Sequence, residues 1–161
     1  MESLFTWLES LSLSVFIRES NSLWAFPMFL FAHTLGMSIV AGGSGLIDLA
    51  LLGCWPKGVP IKPLERLYPL MWAGFWVNLV TGSALLIADA GTRLTNPDFY
   101  VKMLGVFVGT WALYVMHTRV FADPKLDAGP VPQNAKVLAW VSLISWFVAI
   151  LTGRLIAYTS K

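Results

Sequence analysis

Apolar residues in this chain run in long blocks separated by short polar clusters, a scale far coarser than the alternation of a half-buried strand. From Asn21 to Ile47 no charged residue occurs. About 20 apolar residues suffice to cross a hydrocarbon core, so a first span fits within about 22–53. Pro27 is tolerated in its opening turns, and Gly53, Pro56, Gly58 and Pro60 break the helix after it. A second span is expected over about 66–89, between Glu65/Arg66 and Asp89, with residues 90–97 as a short loop. A third runs over about 99–121; Lys102 and Arg119 flank its uncharged stretch, and their long side chains can snorkel to the interface. After the proline-rich 122–134, the fourth covers about 136–158. The pattern predicts an all-α fold, an integral membrane four-helix bundle over 21–161.

Residues 1–20 behave differently. Glu2, Glu9, Arg18 and Glu19 interrupt them, while Leu4, Phe5, Leu8, Leu11 and Val15 share one side of a helix. This reads as an N-terminal amphipathic helix lying in the interface. It lacks the basic start of a cleavable signal peptide.

Composition strengthens the membrane reading. Of 161 residues 57% are hydrophobic and 12% charged, about half the quarter expected of a soluble domain. Four spans put both termini on one side. The loops 54–66 and 119–136 hold Lys57, Lys62, Arg66, Arg119, Lys125 and Lys136; the other face holds Arg18, Arg93, Lys102, Arg154 and Lys161. The positive-inside rule therefore places those loops in the cytoplasm and both termini on the outer face. Trp24, Trp55, Trp72 and Trp140 fall near span ends as interfacial anchors, and Trp76, Trp111 and Trp146 deeper, as packing residues. A net charge of +2 leaves no nucleic-acid footprint. Cys54, alone, excludes an internal disulfide and a Cys-based cluster. There is no phosphate loop, nucleophile elbow or HExxH, and no carboxylate cluster for a di-metal site. The only catalytic role left open is that of an electron-transfer component.

Polar residues at depth are where function is sought, because each is costly in lipid unless paired or used. They are His33, Asp48, Asn78, His117 and Arg154. His33 shares its face with Phe26, Phe29, Leu30, Gly36, Met37, Val40 and Ser44. That wall suits a flat macrocycle such as haem b ligated by the imidazole, with Gly36 allowing close approach; the plain alternative is a packing hydrogen bond. His117 is a second candidate metal ligand, or else the partner of Asp48, which could also pair with Arg119. The two histidines differ in depth by about 10–18 Å at 1.5 Å per residue, so two haems fit better than one shared haem. Met37 is too near His33 to oppose it across a ring, whereas Met71 and Met103 are conceivable second ligands. Arg154 could clamp a propionate, pair with Asp89 or snorkel outward. Asn78, with Gly74 and Gly82 on its face, reads as interhelical glue.

The runs FAHTLGMSIVAGGSGLIDLALLG (31–53), WAGFWVNLVTGSALLIADA (72–90), NPDFYVKMLGV (96–106) and GRLIAY (153–158), with the histidine ending the third span, resemble a bacterial family of small four-helix inner-membrane proteins. The resemblance covers nearly the whole chain from about residue 22 and implies architecture and a bacterial inner-membrane location more than an activity. That family often has an acidic residue three positions before the first-span histidine; here it is Leu30. More distantly the pattern is similar to b-type cytochromes and copper-resistance membrane proteins, at the level of fold.

The leading expectation is a haem-b membrane protein with one or two haems, an electron carrier or the membrane anchor of a redox complex. Its partners would be the bilayer, a redox protein or quinone, and other subunits in a homo- or hetero-oligomer. Cofactor-binding residues would be His33, His117, Arg154, Gly36 and Met37. The alternatives are a cofactor-free accessory subunit and a small oligomeric transporter or proton-conducting protein with Asp48, His117 and Arg154 along its path.

Overall fold

A computed structural model describes Ser10 and residues 25–159. The amphipathic helix expected over 1–20 lies outside the described residues, Ser10 excepted. Helix α1 is Ala25–Leu51, α2 Tyr68–Ala88, α3 Ala90–Thr95, α4 Pro97–Val115 and α5 Gln133–Thr159. A 3-10 turn, Lys62–Leu67, leads into α2, and a π-helical turn, Met116–Val120, prolongs α4. Among the described residues there is no strand, and four helices are long and apolar enough to cross a bilayer.

The helix ends follow local chemistry. Gly53, at φ +96°, takes the left-handed conformation that closes α1, and Cys54 N–H bonds back to the Leu49 carbonyl. Pro97 occupies the first turn of α4, and the Asn96 side chain caps it by accepting from Asp98 N at 2.9 Å. The expected loop at 90–97 is corrected: six of its residues wind into α3, which ends at Asn96.

Neighbouring helices run antiparallel in the order α2–α1–α5–α4. Small residues set the crossings, letting the backbones approach closely. A Cβ added to Gly36 would meet the Gly74 carbonyl at 2.8 Å, so α1 and α2 cross backbone to backbone. On α4, Gly105 and Gly109 form a GxxxG stripe; a Cβ at Gly105 would meet the Ser145 carbonyl at 2.9 Å, and one at Gly109 the Trp146 ring at the same distance. The most continuous apolar core lies where α1 ends and α2 begins, around Ile47, Leu51, Tyr68, Met71, Met116 and Phe121. At that loop end the carboxylate of Asp127 accepts from the backbone N–H groups of Ile61 and Lys62, tying the 119–136 loop to the 54–66 loop. At the opposite, terminal end, Thr159 bonds both Asn96 and Asp98. Trp76 and Trp111 turn outward, 60% and 52% exposed, rather than packing inside as expected; only Trp146 of that trio is buried.

Candidate functional site

The helices α2 and α4 barely meet, and a partly open cleft lies between them. The cleft holds a cavity of about 130 Å³. His33 and Met37 of α1 and Trp146 of α5 floor it; Phe75, Asn78 and Gly82 of α2 form one wall, and Phe99, Lys102 and Met103 of α4 the other.

His33 is held in one orientation. Its Nδ1 lies 3.1 Å from the Thr81 hydroxyl. That hydroxyl gives its proton to the Val77 carbonyl one turn back, at 2.6 Å, so it can only accept from the ring. The hydrogen-bond network thus assigns the Nδ1–H tautomer and leaves the lone pair on Nε2, the arrangement of a metal-ligating histidine with an outer-shell partner. The ring also interacts with the Asn78 backbone. Gly82 makes the room: a Cβ there would lie 2.9 Å from His33 Cε1. Lys102 stands within electrostatic range of this imidazole. Its stem passes over Gly153 of α5, where an added Cβ would meet Cε at 3.4 Å, and its head reaches the cleft.

The other sequence candidates lie elsewhere. His117 is on the π-turn at the loop end, its ring stacked on Tyr68 at 4.2 Å and 20°, with Nε2 3.8 Å from a Glu65 carboxylate oxygen. His33 bonds Thr81 and His117 stacks on Tyr68; thirteen residues of α2 separate those two contacts, about 20 Å along the axis. The histidines cannot ligate one iron. Arg154 points outward, its guanidinium 5.9 Å from the Tyr158 ring centroid, and takes no part in the cleft. Gly36 is buried in the α1–α2 crossing, and Met71 is packed in the core against Gly43. Asp48 pairs with neither His117 nor Arg119: Ser44 donates to it at 3.3 Å. Asp89 pairs with Arg93 at 3.3 Å, not with Arg154.

Of the sequence candidates, the cleft gathers His33, Met37, Asn78 and Met103. Lys102 and Thr81 were missed as site residues. A lysine five residues inside a span was the available signal for the first. Thr81 carried none, because its partner lies 48 positions away. Among the described residues no group of three or more His, Cys, Asp or Glu forms a metal site. Compared with family models, curated proteins and solved structures, the chain matches none.

Proposed function

We propose that the protein is a haem-b-binding protein of the bacterial inner membrane, acting as an electron carrier or as the anchor subunit of a redox complex. The observation that carries this reading is the imidazole of His33, oriented by Thr81 and lining the cleft between α2 and α4. His33 would be one axial ligand. Met103, on the facing wall, would be the other; a histidine–methionine pair is a known ligation that raises the potential. Phe75, Phe99 and Trp146 would cover the macrocycle, and the Lys102 ammonium would hold a propionate. This assigns to Lys102 the role first given to Arg154 and calls for one haem. His117 takes no part. With the 54–66 and 119–136 loops cytoplasmic, the cleft lies in the outer half of the bilayer, where a quinol or a redox protein would deliver electrons.

The test is the optical spectrum of protein purified in detergent from haem-replete cells. A Soret band and a reduced α-band are expected in the wild type and lost in His33→Ala. Met103→Ala should retain haem but lose its six-coordinate spectrum. Colourless protein with no extractable tetrapyrrole overturns the reading and favours the cofactor-free accessory subunit.

A further inference from the structure

A second groove lies at the loop end, between the last turns of α1 and the first turns of α5, and shares no lining residue with the cleft. The helices α1 and α5 meet less closely than α1 and α2 or α4 and α5, and the opening between them holds about 420 Å³. Leu49 lines it from α1; Gln133, Lys136, Val137, Trp140 and Leu143 line it from α5.

Its polarity is ordered along the helix axes. Gln133 opens α5, and Lys136 follows within the first turn. At 1.5 Å per residue, Trp140 lies about 6 Å and Leu143 about 10 Å further into the span than Lys136. Polar groups therefore stand at the loop end of the groove and apolar ones toward the middle of the helices. Val137 and Trp140 are exposed along this stripe, as is Leu49 on the α1 wall. One turn deeper on α1, a Cβ added to Gly45 would meet nothing within 4 Å, so space stays open beside the helix.

Charge decides the occupant. Lys136 is the one charged residue lining the groove, and among the described residues no carboxylate pairs with its ammonium. The first turn of α5 carries no acidic residue, so the positive end of that helix adds to the same field. A second copy of this chain seated here would bring a second Lys136 and no acid from its own groove. A phospholipid fits the order of groups: its phosphate meets a point charge in Lys136 and an amide donor in Gln133, and its hydrocarbon meets Trp140, Leu143 and Leu49.

We propose that this groove binds one anionic phospholipid, with its phosphate held by Lys136 and Gln133 and an acyl chain laid along Trp140 and Leu49. The site rests on the four apolar helices crossing a bilayer; the haem reading plays no part in it.

Tryptophan quenching by lipids brominated on their acyl chains tests the proposal, in protein reconstituted into phosphatidylcholine bilayers. The Trp140 contribution is the difference between wild type and Trp140→Phe. It should saturate, reaching half-quenching at about fivefold less brominated phosphatidylglycerol than brominated phosphatidylcholine, the factor one basic side chain contributes at an anionic surface. Lys136→Gln should abolish that preference and Lys136→Arg retain it. Lys57→Gln, which changes a loop lysine outside the groove, should leave it unaltered. Equal quenching by the two lipids overturns the proposal. So does a preference that Lys57→Gln removes as fully as Lys136→Gln, which marks general surface charge. Trp140 shielded from both lipids in a protein dimeric by light scattering overturns it in favour of a second copy; the same shielding in a monomer overturns the membrane placement on which it rests.

Discussion

The Nδ1 of His33 and the hydroxyl of Thr81 lie 3.1 Å apart, with the Thr81 proton already committed to the Val77 carbonyl. Thr81 therefore fixes both the direction of the imidazole and the nitrogen that bears its proton. Thr81→Val keeps the shape of the side chain and deletes the acceptor. Outer-shell partners of metal-ligating histidines typically contribute 10–100-fold to affinity, so under the haem proposal haem affinity should fall by about that factor. Titrating haemin into purified apoprotein measures it. An unchanged affinity would show that the contact is packing alone.

Gly82 supplies the space that the ring fills. The neighbour that Gly82→Ala would strike is the tip of the His33 ring, 2.9 Å from the new Cβ, not backbone, so the imidazole should swing away while the bundle stays folded. Alanine also favours the helix over glycine by roughly 0.8–1 kcal/mol. The variant should retain its helical circular dichroism and lose the Soret band. Loss of both together would mean that α2 needs this glycine for packing as well.

His117→Ala makes the opposite case. The ring stacks on Tyr68 and faces Glu65 at the loop end, about 20 Å along α2 from the cleft. The spectrum should be that of the wild type, while stability falls by about 0.5–1.5 kcal/mol from the lost stacking. A changed haem content would restore His117 as a ligand and sink the single-haem arrangement.

The four long helices were legible because each is an apolar run long enough to cross a bilayer, and uncharged stretches such as 21–47 announce themselves whatever the tertiary structure. His33 was legible as a polar group inside such a run. Partners were not. Thr81 hides its hydroxyl by bonding back into its own helix, as threonines commonly do. Lys102 resembles a span-flanking anchor until Gly153 of α5 is seen to let its stem pass. The π-turn, which carries His117 and closes with the Phe121 N–H to Met116 carbonyl bond at 2.9 Å, has no periodicity to betray it. The side to which Arg154 points depends on how α5 is rotated against α1 and α4. The stripe of Gly105 and Gly109, by contrast, could have been read: GxxxG in an apolar helix is a packing signal.

Not every glycine in α1 is structural. A Cβ on Gly36 would meet backbone, the Gly74 carbonyl at 2.8 Å and the Asn78 nitrogen at 3.2 Å, whereas one on Gly45 would meet nothing within 4 Å. Gly36→Ala must therefore push α1 and α2 apart, an overpacking cost of about 1–3 kcal/mol, and Gly45→Ala should be neutral or slightly stabilising. Reversible unfolding in mixed micelles separates the two. Equal effects would mean that the α1–α2 crossing is looser than these distances require.

Asp127 holds the two loops of the loop end together through bonds of 2.7 Å to Ile61 N and 3.1 Å to Lys62 N. These N–H groups open the 3-10 turn that feeds α2, so the carboxylate does the work of an N-cap from a segment 65 residues away. Caps contribute about 0.5–2 kcal/mol, and Asp127→Ala should cost that much. Asp127→Asn leaves one side-chain acceptor for two donors and should fall between the alanine variant and the wild type. The turn also carries Glu65, which faces His117, so fraying it should loosen the His117–Tyr68 stack as well. Near-ultraviolet circular dichroism reads that stack through the tyrosine signal, and thermal unfolding in detergent reads the stability. A loss of stability with an unaltered tyrosine signal would show that Asp127 joins the loops without ordering the turn.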